Sequence, residues 1–193
     1  MLTKSLKRLR VAYKGLTLYH AGLPNSSNPI GFQQNFSRDS IEGALVAEDP
    51  GILRDQLIFG NLNQSKGQNP KNGGEKFKYH HQLPGVEVFR GLFSDYCATD
   101  SNAHYLIGHG FYESQTEDKS LTQKFKANLL GAVEDYIFTH LNSSFQFEED
   151  PKFAGAEDFA LNRTDWKDST TPGRKSGKVV YPVVYPNIQA QYM

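Results

Sequence analysis

The sequence predicts an all-α fold in which helical hairpins are arranged around a ring, as an α/α toroid. In most of the periodic segments, apolar residues recur every three or four positions, which is the spacing of amphipathic helices. Segments with charged faces alternate with segments that are apolar on most sides, as expected of outer and inner helices. Long loops precede the inner helices, so they would gather at one end of the ring and form a cup.

The first predicted helix covers residues 4–21, has a basic polar face and ends near Gly22 and Pro24. Its apolar positions have helical spacing: Leu6, Leu9, Tyr13, Leu16 and Tyr19. A second, largely apolar helix is predicted over residues 38–48, with Ser37 as its N-cap. Pro50 suits the first turn of a third helix, which extends to about residue 63.

A long excursion over residues 64–94 contains many turn-forming pairs and no convincing helix. Loops of this length inside a domain are either functional or disordered. The aromatic and histidine residues at positions 79–81 favour an ordered loop. After it, Thr99 or Asp100 can cap a fourth helix that reaches about Ser114.

The fifth predicted helix has the cleanest helical period, from Asp118 to about residue 141. A short strand-like run at residues 145–147 follows it. A second long loop covers residues 148–178. A sixth helix is predicted to start near Val183 and to be interrupted by Pro186.

The composition limits the classes of partner. Lysine plus arginine and aspartate plus glutamate both total 21, so no net field favours nucleic acid or an anionic membrane surface. No apolar run is long enough for a membrane span, and the lone Cys97 favours a cytoplasmic location. The 12% aromatic content suits stacking on carbohydrate, and nucleotide-binding and acyl-transfer motifs are absent.

The second long loop contains the only tryptophan, Trp166, two residues before Asp168. An indole ring offers a flat apolar platform, and a nearby carboxylic acid can serve as a proton donor. This pair is typical of a sugar site. The alternative is a core tryptophan with solvated acids on either side.

Other polar residues fall at predicted inner-helix starts. Arg38 and Asp39 can brace one another or bind vicinal hydroxyls, and Asp100 occupies the same place at the next inner helix. Helix capping is the structural alternative. His80 and His81 lack a third ligand at metal-binding spacing, so they are expected to donate a hydrogen bond to substrate or to brace their loop.

Four segments, in this order, resemble one family: residues 36–41 (FSRDSI), residues 96–100 (YCATD), residues 164–168 (TDWKD), and residues 177–180 (GKVV) with Gln189 or Gln191. The family is the glucosidase domain of amylo-α-1,6-glucosidase, a glycogen-debranching group of the six-hairpin glycosidases. The resemblance extends over almost the whole chain, although the segment around Cys97 is looser than the usual Tyr-Asn of the family.

The resemblance implies an (α/α)6 barrel that hydrolyses an α-glucosidic linkage in an α-glucan or oligosaccharide with inversion. It implies no metal and no other cofactor. Asp168 matches the general acid of the family. The residues expected to line the glucose subsite, with the two histidines as contributors from a neighbouring loop, are Arg38, Asp39, Asp100, Trp166, His80 and His81.

Residues 1–193 would then form a single partial domain of about three of the six hairpins. Inversion needs a second carboxylate as base. In the family that base falls in the other half of the barrel, so we expect this chain to be inactive alone. The alternative is a non-catalytic carbohydrate-binding or interaction half-toroid, which would self-associate or pair with a complementing C-terminal half. The remaining alternative is a helical structural protein in which the polar motifs serve only as helix caps.

Overall fold

The computed structural model describes residues 9–20, 35–83, 96–157 and 181–192. About half of these residues are helical, and the strands are few and short. Three helices, α1 (Ser37–Val46), α2 (Pro50–Leu62) and α3 (Ser101–Thr116), each pack against the other two. The prediction of a mainly helical protein is confirmed at this level.

The described part of the first predicted helix is a β-hairpin, so that prediction is wrong. Strands β1 (Arg10–Tyr13) and β2 (Leu16–Tyr19) pair antiparallel. Lys14 and Gly15 connect them with φ angles of 49° and 82°. Positive φ at both positions is what a two-residue type I′ turn requires, and its twist matches that of paired strands. The turn, and not the apolar period, decides the structure here.

Helices α1 and α2 lie where the sequence predicts them. Pro50 begins α2, and the Asp49 side chain caps it by accepting a hydrogen bond of 3.1 Å from the Ile52 amide. The predicted cap of α1 is wrong, because Ser37 is itself the first helical residue and its hydroxyl donates to the carbonyl of His80. The start of α1 is thereby joined to the long loop.

The described part of that loop is ordered, as predicted. Strand β3 (Asn35–Phe36) pairs with strand β4 (Gln82–Leu83). The Tyr79 side chain is fully buried, and its amide donates to Oδ1 of Asn102 at 2.8 Å. Residues 79–81 are consequently held between the starts of α1 and α3.

The fifth predicted helix is continuous but irregular. It consists of four consecutive pieces: α4 (Ser120–Lys124), α5 (Lys126–Gly131), a π-helical turn (Ala132–Ile137) and a 3₁₀ turn (Phe138–His140). Gly131 is in close contact with the long loop, since a Cβ atom there would lie 2.5 Å from the ring of Phe77. A larger residue at this position would push the loop off the helix.

The C-terminal part of the fold brings distant residues together. The run at residues 145–147 forms only an isolated bridge between Leu141 and Phe147, and a 3₁₀ turn follows at Pro151–Ala154. Helix α6 (Pro186–Tyr192) begins at Pro186, so the prediction that Pro186 interrupts a helix is wrong. Proline lacks an amide hydrogen, which the first turn of a helix does not need.

The described part of the chain contains two large apolar clusters and a small third one formed by Cys97, Ala154 and Tyr181. The larger cluster joins α1, α2 and α3 to β2, and the second one joins the end of the irregular helix to α6. Tyr105, a member of the larger cluster, packs closely on Gly60, where an added Cβ atom would lie 2.0 Å from its ring. Within the described ranges, no helix combines the length and apolarity needed to cross a bilayer.

Candidate functional site

Arg38 and Asp100, which are 62 positions apart in the sequence, meet at the starts of α1 and α3. Nη1 of Arg38 lies 3.0 Å from Oδ2 of Asp100, and the two side chains are 16% and 1% exposed. The second carboxylate oxygen of Asp100 is buried and has no hydrogen-bond partner among the described residues. The buried carboxylate of Asp100 therefore holds the Arg38 guanidinium on its interior side, while part of the Arg38 side chain is exposed at the surface.

Asp39 lies beside this pair and faces solvent. Its Oδ2 is 3.8 Å from Nη2 of Arg38, and its side chain is 54% exposed. It belongs to the first turn of α1, where the positive end of the helix favours a carboxylate. Arg38 and Asp39 together place donors and partly exposed acceptors at one point on the surface.

A second pair lies one helical turn further on. Nε2 of His104 is 3.0 Å from a carboxylate oxygen of Glu42, and Nδ1 is 2.9 Å from the carbonyl oxygen of Asp100. Both ring nitrogens of His104 therefore lie within hydrogen-bonding distance of an oxygen atom. Sequence analysis missed this pair, although each member lies four residues after a predicted site residue, on the same helical face.

The two histidines of the long loop have different surroundings. His80 is fully buried, with Nε2 3.3 Å from Oδ1 of Asn35, and its ring meets the edge of Phe59. The structure does not bring it to the surface beside Arg38. His81 is nearly buried, and its carbonyl accepts a 2.9 Å hydrogen bond from the Ser37 amide, immediately before Arg38. The backbone carbonyls of both histidines thus accept hydrogen bonds from Ser37, the residue before Arg38.

The predicted acid Asp168 and the predicted platform Trp166 lie outside the described residues. In the described ranges, no group of three or more histidine, cysteine or acidic side chains is arranged to hold a metal ion.

A buried ionic network, which sequence analysis also missed, lies behind the candidate site. Nζ of Lys78 is 2.9 Å from Oε1 of Glu75, and the two side chains are 1% and 7% exposed. Nε2 of His140 is 2.7 Å from the other oxygen of Glu75, and its Nδ1 is 2.7 Å from the carbonyl of Glu148. Lysine and glutamate are rarely buried unless they are paired, and here they are.

The electrostatics of this network follow from burial and pairing. Burial alone would raise the pKa of Glu75, but the charges of Lys78 and His140 outweigh it and the pKa is lowered. Burial alone would lower the pKa of Lys78, but Glu75 outweighs it and the pKa is raised. Both groups are therefore ionised at neutral pH.

Helix α6 connects this network to Asp100. The hydroxyl of Tyr192 donates to the carbonyl of Thr99 at 2.7 Å. Burial raises the pKa of Tyr192 well above its ordinary value, and the charge of Asp100 contributes to the increase. Asp100 is thus enclosed by Arg38 on one side and by the end of α6 on another.

A comparison of the sequence with protein-family models gives no match, and a comparison with curated proteins gives none either.

Proposed function

We propose that this chain has the glucose subsite of a six-hairpin glycosidase of the amylo-α-1,6-glucosidase type, acting on α-glucosidic linkages. The observation that supports the proposal is the cluster of Arg38, Asp39 and Asp100. The resemblance picks out these three residues from two separate segments, and their side chains meet at two helix starts.

The cluster has the chemistry that vicinal hydroxyls require. A hydroxyl both donates and accepts hydrogen bonds, so a sugar needs donors and acceptors side by side. Arg38 supplies donors in a fixed plane because buried Asp100 holds it, and half-exposed Asp39 supplies acceptors. Holding these groups in place before binding reduces the entropy lost when the sugar binds.

The proposed architecture is an α/α toroid, with a β-hairpin in the place of its first outer helix. Helices α1 and α2 form one helical hairpin, and α3 with the irregular helix of residues 120–140 forms the next. In this arrangement, the starts of α1 and α3 are the inner-helix N-termini. The cup would lie above them, beside Asp39.

The proposed chemistry is inverting hydrolysis, with Asp168 as the acid on the leaving oxygen and Trp166 as the platform for the sugar ring. An inverting site also needs a carboxylate that activates water, roughly 6.5–9.5 Å from the acid. The resemblance assigns no such base to the 193 residues of this sequence. We therefore propose that the chain binds an α-glucoside without hydrolysing it alone. The cytoplasmic location favoured by Cys97 is part of the same proposal.

Isothermal titration with maltose and isomaltose tests the binding proposal. Asp39→Asn keeps the shape of the side chain but removes its charge, so we expect roughly fivefold weaker binding, or about 1 kcal/mol. Glu113→Gln is the matched control, since Glu113 also lies 3.8 Å from a cation, Lys119, at a place unrelated to the cluster. Absence of heat with the folded protein, or equal weakening by both variants, would contradict the proposal.

Glucose release tests the expectation of inactivity. The purified chain should release no glucose from either disaccharide above the background hydrolysis. If glucose appears and Asp168→Asn abolishes it, the chain supplies its own base and the expectation is wrong.

A further inference from the structure

A polar groove lies along the turn that follows α2. It consists of two adjoining cavities, of about 430 and 240 Å³, which share the side chains of residues 62 and 64–66 as a common wall. None of Arg38, Asp39 and Asp100 lines either cavity. The name amide groove is used below for this feature, defined in its larger cavity by Asn63, Lys66, Gln68, Asn69, Asn72 and Tyr96.

We propose that the amide groove is a binding site for a neutral oligosaccharide. The proposal goes beyond the function proposed above, because it needs neither the Arg38 cluster nor the Asp168 acid.

The amide side chains of the groove have hydrogen-bonding capacity that the fold does not use. Oδ1 of Asn69 accepts from the Lys71 amide at 3.1 Å, and Oδ1 of Asn72 accepts from the Gly74 amide at 3.1 Å. Neither amide nitrogen has a partner in the described part of the chain, and neither is sealed from solvent. Both residues line the larger cavity, where partly exposed Asn69 offers its two N–H donors to a ligand and Asn72, which is 7% exposed, lies deeper.

Acceptors accompany these donors. The side-chain nitrogen of Asn63 donates to the Phe59 carbonyl at 2.8 Å, and that of Gln68 donates to the Phe153 carbonyl at 2.9 Å. Each of these bonds leaves the amide oxygen of the same side chain without a donor among the described residues. Donors and acceptors are therefore both present in the wall of one cavity, which suits the hydroxyl groups of a sugar.

Each cavity also contains an aromatic ring that cannot move freely. The hydroxyl of Tyr96 donates to the Asn63 carbonyl at 2.7 Å, and its amide donates to the Asn72 carbonyl at 2.8 Å. In the smaller cavity, the ring of Phe77 packs closely against Gly131. A rigid aromatic face beside polar groups suits the apolar face of a sugar ring. Two such cavities in series favour a ligand of more than one ring.

The charges of the groove favour a neutral ligand over a cation. Among the described residues, no acidic side chain lines either cavity, and the charged residues that do so are Lys66 and Lys76. Lys76 is already paired with Asp135 at 3.0 Å. A divalent cation needs oxygen ligands with negative charge, which this wall does not provide. A phosphate group is the competing ligand, and the test below distinguishes it.

The groove is close to the candidate site without belonging to it. Tyr96 precedes Asp100 by four residues, so their Cα atoms are at most about 14 Å apart. The segment of residues 96–100 therefore begins at Tyr96 in the wall of the groove and ends at Asp100, which is paired with Arg38.

Nuclear magnetic resonance of the full chain, titrated with maltotriose, tests the proposal. We expect the backbone amide signals of Ser65, Gly67, Gly74 and Tyr96 to shift together. Asn69→Asp retains the acceptor for the Lys71 amide but replaces the open N–H donors with a charged acceptor. It should weaken the binding measured at these signals roughly five- to tenfold.

Matched variants separate this site from the Arg38 cluster. Gln123→Glu makes the same charge change on an exposed face of α4 and should leave the groove titration unchanged. Asp39→Asn should also leave it unchanged, even if the Arg38 cluster binds no sugar. The proposal is overturned if maltotriose shifts no groove signal, if Gln123→Glu weakens binding as much as Asn69→Asp, or if inorganic phosphate shifts the groove signals and maltotriose does not.

Discussion

Burial decides how much each ion pair of this protein contributes to stability. Lys78→Met leaves the carboxylate of Glu75 without its lysine partner in the interior, so we expect the free energy of unfolding to fall by about 3 to 5 kcal/mol. Lys76→Met removes a pair of similar length, 3.0 Å to Asp135, but Lys76 is 62% exposed. That change should cost less than about 1 kcal/mol. Urea denaturation of both variants measures the difference, and equal losses would contradict the argument.

His109 gives the protein a predictable sensitivity to acid. Burial lowers its pKa from 6.5 to about 4. Because the unfolded chain binds a proton at a pH where the folded chain does not, the contribution of His109 to stability is present above pH 6.5 and is lost as the pH falls towards 4. The loss is up to about 3 kcal/mol.

The variant His109→Gln tests this dependence. Nδ2 of Asn61 donates to the Leu57 carbonyl and lies 2.8 Å from Nε2 of His109, so a glutamine oxygen can replace the imidazole acceptor. We expect the decline in the free energy of unfolding between pH 6.5 and 4 to become shallower in this variant. An unchanged slope in urea titrations at several pH values would show that another group is responsible.

Single residues of the site differed in how well the sequence predicted them. Arg38, Asp39 and Asp100 could be selected because short motifs contain them, and the structure places them together. Glu75 and Lys78 could not be selected, because a charged residue in a predicted loop is expected to be solvated. Only the tertiary structure shows that these two side chains are buried. The core position of His80 was hidden for the same reason.

The β1–β2 hairpin depends on backbone conformation more than on side-chain packing. An added Cβ atom at Gly15 would meet nothing within 4 Å, yet its φ angle of 82° disfavours any residue with a side chain. Gly15→Ala should therefore lower the free energy of unfolding by about 1 kcal/mol. Gly110 also has open space, but it lies inside α3, so Gly110→Ala should raise stability by about 0.5 to 1 kcal/mol. Opposite signs in denaturation experiments confirm the argument, and equal signs contradict it.

The elements were predictable where local chemistry agreed with the hydrophobic period. Helix α2 was located accurately because Asp49 and Pro50 form a start signal that does not depend on the rest of the fold. The apolar residues of the β1–β2 hairpin do not reveal it, because apolar positions three to four residues apart also fit two four-residue strands; the Lys14–Gly15 turn is the local signal that distinguishes the two structures. The irregular fifth helix could be predicted in extent but not in its π-helical turn, which no sequence period reveals.

The molecule as a whole is built from contacts between distant parts of the chain. Helix α6 pairs with residue 147 through Gln189, whose side-chain oxygen and nitrogen bond the amide and the carbonyl of Phe147, both at 2.8 Å. The Gln189 side chain thus makes the two hydrogen bonds that the backbone of a neighbouring strand would make in a sheet. The sequence predicted the helical class, but it did not predict such tertiary pairings, because they depend on where two remote segments meet.

The hydrogen bond from Tyr192 to the Thr99 carbonyl has a consequence for the order of folding. It closes a loop of 93 residues beside Asp100, and the Arg38–Asp100 pair closes one of 62 residues. Closing a long loop loses conformational entropy before the contacts between its ends can compensate for that loss. Such contacts therefore form late in folding, whereas helices form from local contacts. During refolding from urea, the helical circular dichroism should therefore return before the proposed binding of maltose, and simultaneous recovery of the two signals would contradict this order. The candidate site would be the last part of the molecule to mature.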